Sequence, residues 1–197
     1  MLQALVNKTL LSDIQPSINS LAQDRGFQVE FQEERARKVF AEQYGHLYGS
    51  FEELLRTDAL GYQLSLAEAF RDDAAEAKAN PETIYIADRT GFDVACYTML
   101  LSGNGEADAK KINMIFSLLH DSLHIVDHVF LTMPFGGIAE QDGFRPSHYE
   151  DPAKRAMEEN LFRHIGVLFP NTTVLPSDRH ERVKVVLDKI SLLIPAP

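Results

Sequence analysis

The sequence predicts an α/β fold, a parallel sheet with helices on both faces. Three observations carry this reading. Short apolar runs rich in β-branched and aromatic residues alternate with longer stretches of helical period, the pattern of units whose crossover helices cover a parallel sheet. The run Thr83-Ile84-Tyr85-Ile86-Ala87 stops abruptly at Asp88-Arg89-Thr90-Gly91 before a helical pattern resumes. It reads as a buried strand that delivers charge at its carboxyl end, where open α/β sheets bind ligands. Finally, 197 residues with 45% hydrophobic and 24% charged content suit one domain, 1–197, around a single large core.

In chain order, Leu2 to Leu21 places Leu5, Leu10, Leu11, Ile14, Ile18 and Leu21 mostly at helical spacing. Pro16 should break that pattern near Gln15 or start a second helix, because proline removes a helix donor and clashes with the preceding turn. Gly26 is a suitable stop, and Phe27-Gln28-Val29-Glu30-Phe31 alternates like a short strand. Glu33 to Tyr44 reads as a helix and Phe51 to Ala79 as one or two more, with Asp58 as a cap. Asn80-Pro81 ends that pattern ahead of the Thr83 strand. Phe92 to Leu101 and Ala107 to Leu123 are helical in period, separated by the loop Ser102-Gly103-Asn104-Gly105. Val126 to Met133 is a second buried strand. A helix over Asp151 to Phe162, a strand over Thr172 to Leu175 and a helix over Asp178 to Leu193 complete the alternation. Between them, Pro134 to Glu150 is rich in glycine, proline and charge and lacks a period. At about 17 residues it exceeds the ordinary connection, as a functional lid would.

Composition narrows the function classes. A formal net charge of −10 argues against a general nucleic-acid binder, which needs a basic surface. No apolar run approaches the roughly 20 residues that cross a bilayer, and the amino terminus lacks the features of a secretory leader. Cys96, the single cysteine, sits among Val94, Ala95, Tyr97 and Met99 and reads as a small buried hydrophobe. A reducing, cytoplasmic setting is expected.

Several residues are candidates for chemistry, each with a plainer alternative. Asp88 and Arg89 either face a crevice or form a helix cap and a surface pair. Arg145, in Gln141-Asp142-Gly143-Phe144-Arg145-Pro146, either closes over phosphate from the lid or belongs to a solvated turn. Glu34 and Arg37, one helical turn apart, either contact a small polar substrate or pair on the helix surface. His120 and His124, also one turn apart, have ligand spacing and would make the protein a metal-dependent hydrolase together with Asp121. The plainer reading of that stretch is a helix end and polar turn entering a strand.

The order of these pieces resembles P-loop kinases of the nicotinamide-riboside-kinase type and related small AAA-like ATPases. The matching pieces are Glu34-Arg35-Ala36-Arg37 after the second strand and Ile84 to Arg89 at the third. Asp127-His128-Val129-Phe130-Leu131 at the fourth, Asp142 to Arg145 in the lid, and Val174-Leu175-Pro176 with Glu181-Arg182 follow. The resemblance spans roughly Lys8 to Ile190 and implies a three-layer P-loop NTPase-like sheet with ATP and Mg as cofactors. It implies that Asp88 acts on the magnesium or as base for a substrate hydroxyl and that Arg89 orients substrate or phosphate. Arg145 would stabilise the transferring phosphoryl group, Glu34 and Arg37 would line the acceptor side, and Pro176 and Ser177 would lie near the nucleotide base. Lys8 and Thr9 stand where the family's lysine and magnesium-binding hydroxyl are found.

The chain departs from the family at the phosphate loop. In place of Gly-x-x-x-x-Gly-Lys-Ser/Thr it has Val6-Asn7-Lys8-Thr9, so Asn7 replaces the last glycine. The resemblance implies a central first strand; either Leu2–Val6 serves as a shortened version of it, or it is absent and the sheet rearranges around a gap. Two functions follow as expectations. One is an ATP-dependent phosphotransferase acting on a nucleoside or nucleotide-type small molecule. The other, from the missing loop, is a non-catalytic pseudo-kinase serving as a binding or regulatory module, with a homodimer as one assembly open to it.

Overall fold

All three strand pairings among the described residues are parallel, and helices alternate with the strands along the chain. The computed structural model describes residues 2–5, 8–32, 34–101, 106–132, 152–168 and 171–194. The strands are β1 (Leu2–Leu5), β2 (Gln28–Gln32), β3 (Thr83–Ala87), β4 (His128–Leu131) and β5 (Thr172–Val174). The helices are α1 (Lys8–Asp24), α2 (Arg35–Val39), α3 (Phe51–Ala79), α4 (Gly91–Leu100), α5 (Glu106–Leu123), α6 (Pro152–Leu168) and α7 (Arg179–Leu193).

β2 and β3 pair in register from Gln28 opposite Thr83 to Gln32 opposite Ala87. β4 pairs with β1 from Leu2 opposite His128 to Leu5 opposite Leu131, and with β5 from Val129 opposite Thr172. The hydrogen-bonded ladders thus form two sheets, β1-β4-β5 and β2-β3, and β1 packs against β3. The expected helix from Leu2 is corrected over Leu2–Leu5, which form the shortened first strand that the family resemblance offered as one alternative. Four apolar-rich residues suit either period, and only pairing across the sheet decides between them.

The break expected at Pro16 does not occur. α1 runs through it from Lys8 to Asp24, with Ile14, Ile18 and Ala22 fully buried. Packing on that apolar stripe outweighs the roughly 3 kcal/mol a mid-helix proline costs. The helix stops where expected: Gly26 takes φ 79°, and the amide of Phe27 donates to the carbonyl of Ala22 in the manner of a glycine-ended helix.

One further helix departs from expectation, whereas α3 follows it. The stretch read as one helix to Tyr44 splits into α2 and a π-helical turn, Phe40–Tyr44. There Phe40, Tyr44, Phe51 and Tyr62 meet edge to face, which gains ring contacts beyond area burial. α3 is interrupted at Asp58, whose backbone is non-helical at φ −145° and ψ 52°. Its carboxylate accepts from the amide of Gly61 at 3.1 Å, so Asp58 caps the second segment as its residue type predicts.

Core residues follow strand alternation. Ile84 and Ile86 of β3 and Phe130 of β4 pack with Ile14, Ile18, Val186 and Ile190 from α1 and α7. The alternate residues of β4, Val129 and Leu131, pack instead with Phe92 and Cys96 of α4 and with Leu161 and Phe162 of α6. Cys96 is fully buried, as its neighbours predict. A separate cluster joins α3, α4 and α5 through Leu54, Tyr62, Leu66, Phe70, Val94, Ile115 and Leu119. Gly91 permits the close approach of α4 to α5, since a Cβ there would sit 2.9 Å from Leu119 Cδ2.

Candidate functional site

Parallel pairing gathers the carboxyl ends of the strands within each ladder. Gln32 and Ala87 end together in one, and Leu5, Leu131 and Val174 end together in the other. The residues that follow those ends include the sequence candidates Lys8, Thr9, Glu34, Asp88, Arg89, Pro176 and Ser177.

Asp88 is the first residue beyond β3, partly buried, with its amide directed at the carbonyl of Gln32. Burial pushes its carboxyl up to about 7; Glu34 and Asp93 add to the rise, while Arg89 and Arg37 oppose it. Loss of hydration is therefore the main cause, because a charged carboxylate is poorly solvated there. Asp88 does not cap the next helix. That role belongs to Thr90, whose hydroxyl accepts from the amide of Phe92 at 3.0 Å. Asp93 closes the capping box by accepting from the amide of Thr90 at 2.8 Å. With capping assigned to Thr90, the Asp88 side chain is left for other use.

Arg89 reaches Glu34. Its guanidinium lies 3.3 Å from Glu34, whose second oxygen accepts from Arg37 at 2.7 Å. An Arg89–Glu34–Arg37 chain thus borders Asp88, joining residues that the sequence proposed separately. Arg89 holds φ 71°, a left-handed conformation that costs a non-glycine residue roughly 1–2 kcal/mol. Such strain persists where the surroundings over-determine it and concentrates at functional sites.

Three contributors escaped the sequence reading. Asp93 is buried, and its carboxyl is pushed up to about 6, chiefly by desolvation. Its signal was present in the Thr90-x-x-Asp93 spacing. Tyr62 donates to the carbonyl of Ala36 at 2.7 Å, and its hydroxyl is held well above the ordinary range by burial, with Arg89 and Glu34 close enough to act on it. Arg35 makes a bidentate ion pair with the buried Asp73, one arm at 2.7 Å, which ties α2 to α3 beneath Glu34. No local sequence signal links residues so far apart.

The remaining candidates are placed as follows. Lys8 and Thr9 open α1, and their side chains lie outside the described residues. Pro176 is partly buried and Ser177 exposed beyond β5, leading to Asp178, which caps α7 by accepting from the amide of Glu181 at 2.9 Å. Among the described residues no hydrogen bond or ion pair joins Pro176 or Ser177 to the Asp88 group. Arg145 and the lid, 134–150, lie outside the described residues. His120 and His124 face each other at 3.1 Å near the end of α5, and no group of three or more potential ligands gathers there or elsewhere among the described residues. No helix among the described residues is long and apolar enough to cross a membrane.

His128, in the fourth-strand motif, is buried and shares a 2.8 Å hydrogen bond with Thr173. Desolvation pulls its pKa down to about 4, assisted by Lys189. It is a neutral sheet residue rather than part of the Asp88 group.

No curated protein matches the chain. A family model described as AAA domain matches residues 16–176, which takes in Glu34, Arg37, Asp88 and Arg89, ends at Pro176 and begins after Lys8 and Thr9. A match over most of the 197 residues, on a fold of parallel strands and alternating helices, places the chain in the AAA domain family of P-loop NTPase-like proteins.

Proposed function

We propose that the protein is an ATP-dependent phosphotransferase acting on a nucleoside or nucleotide-type small molecule, similar to P-loop kinases of the nicotinamide-riboside-kinase type. The observation that carries this reading is Asp88 at the tip of β3, with a pKa of about 7 and bordered by Arg89, Glu34 and Arg37. A general base works best when its pKa lies near the operating pH. The reading takes 1–197 as one three-layer domain, which the opposite packing of Phe130 and of Val129 and Leu131 supports.

The residues suit Mg-ATP. β1 leads into the first turn of α1, which holds Lys8, Thr9 and no acidic residue, and β1 packs against β3, the strand that presents Asp88. A helix amino terminus favours anions through its free amides and dipole. Bound Mg-ATP supplies the phosphoryl group and neutralises its charge. In this reading Lys8 would contact phosphate, Thr9 would hold the magnesium, and Pro176 and Ser177 would border the nucleotide base, with Asp88 left as the base for the acceptor hydroxyl rather than a magnesium ligand.

Asp88 then accepts the proton of the acceptor hydroxyl as that oxygen bonds to the γ-phosphorus and ADP departs. Arg89 orients the acceptor or its phosphate, Glu34 and Arg37 line the acceptor side, and Arg145 from the lid balances charge on the transferring group. The work is done in the cytoplasm by a monomer or homodimer, without nucleic acid or membrane.

A second reading, a non-catalytic pseudo-kinase acting as a binding or regulatory module, is favoured by Asn7 standing in place of the loop's last glycine. Thermal melting with and without millimolar Mg-ATP separates the two. Saturation at 100 times the dissociation constant adds about 2.7 kcal/mol, and the phosphotransferase reading requires that shift. No shift with any nucleotide refutes it and leaves the module.

A further inference from the structure

His120 lies on the exposed last turn of α5 and His124 in the turn just beyond it, which feeds the amino end of β4, whereas Asp88 follows the carboxyl end of β3. Their rings are nearly perpendicular, with interplanar angle 82° and centroids 4.4 Å apart. The two Nε2 atoms are 3.1 Å apart. With metal–nitrogen bonds of about 2.0–2.1 Å, that separation gives a bite angle of roughly 100°, between the octahedral and tetrahedral values. Helical i, i+4 spacing sets this geometry before any metal arrives.

Proton placement favours the same use. Nδ1 of His120 lies 3.3 Å from a carboxylate oxygen of Asp121. A proton held on that nitrogen leaves Nε2 of His120 as a lone pair facing His124, the carboxylate–histidine–metal arrangement that fixes a ligating tautomer. Two facing ring nitrogens need a proton or a cation between them. The chain's net charge of −10 raises the local concentration of cations.

We propose that His120 and His124 form a bidentate surface site for a late first-row divalent metal, Zn2+, Ni2+ or Cu2+, separate from the Asp88 group. Imidazole nitrogens suit these ions over Mg2+ or Ca2+, which prefer oxygen. Two protein ligands leave the remaining positions to water or to a ligand from elsewhere. Chelation clamps the end of α5 to the turn that follows it.

The test is calorimetric titration of the untagged full-length protein with ZnCl2 in a non-chelating buffer near neutral pH. The expected result is one saturable equivalent, weakened at least about tenfold by His120→Ala or His124→Ala alone, as loss of one arm of a chelate requires. Asp121→Asn should weaken binding by a smaller factor, and His164→Ala should leave it unchanged. All four side chains are exposed, and circular dichroism of the variants checks that the fold is intact. No heat at millimolar zinc, or equal binding by the His120→Ala/His124→Ala protein, overturns the proposal.

Discussion

Replacing Asp88 with asparagine should stabilise the protein at alkaline pH and leave it nearly unchanged at acid pH. The folded carboxyl titrates at about 7 and is raised mainly by desolvation, whereas an unfolded aspartate titrates near 3.9. Between those values the folded chain keeps a proton that the unfolded chain has lost, so this group makes stability fall as pH rises through about 4 to 7. Three pH units at 1.36 kcal/mol each set a ceiling of about 4 kcal/mol above pH 7. Partial solvent access at Asp88 reduces the expected gain to roughly 2–3 kcal/mol, or about 5–10 °C in Tm for a chain of this size.

Asparagine keeps the shape and removes the charge, so the gain should vanish near pH 4, where Asp88 is already neutral. Urea unfolding of both proteins at pH 4.5, 6 and 8, followed by far-ultraviolet circular dichroism, measures the difference. Two parallel stability curves, or a variant that is less stable at pH 8, would refute the claim that Asp88 is desolvated.

Other perturbations test the neighbouring contacts. Thr90→Ala should cost about 1–2 kcal/mol in urea unfolding, since it removes the α4 cap and leaves the box half made. Arg35→Ala should destabilise more than Asp73→Asn, by about 3 kcal/mol or more against the native chain, because it abandons a buried carboxylate whereas Arg35 can reach water. Arg89→Gly should be more stable than Arg89→Ala by about 1 kcal/mol, as glycine accepts the positive φ; equal stabilities would remove the strain. His128→Gln should flatten the loss of stability between about pH 6.5 and 4. Over that range the native imidazole stays neutral while the unfolded one takes up a proton, so acidification favours unfolding.

How much of this was legible depends on whether a local pattern decides. The strand over Thr83–Ala87 was plain because β-branched and aromatic residues run unbroken into Asp88-Arg89, and caps at Asp58 and Asp178 follow from residue type. At the amino terminus Leu2, Leu5 and the leucines of α1 share a helical spacing, while the family resemblance offered a shortened strand there; pairing with β4 decides for the strand over Leu2–Leu5. Pro16 misled, because a strong local rule yielded to burial of Ile14 and Ile18. At the site, Asp88 and Arg89 could be named from sequence, but not the arrangement around them. The Glu34–Arg89 and Arg35–Asp73 contacts join distant segments, and desolvation of Asp88 is a property of the folded surroundings. The cap at Thr90 was readable in its spacing to Asp93.

Transfer of the γ-phosphate from Mg-ATP to a panel of nucleosides and nucleotides, followed by 31P NMR across pH 5 to 9, tests the proposed function most directly. The account predicts a phosphorylated acceptor whose rate of formation rises through a midpoint near pH 7 and is abolished in the Asp88→Asn protein. ADP release with no phosphorylated acceptor, no turnover at all, or a rate that Asp88→Asn leaves intact would contradict it.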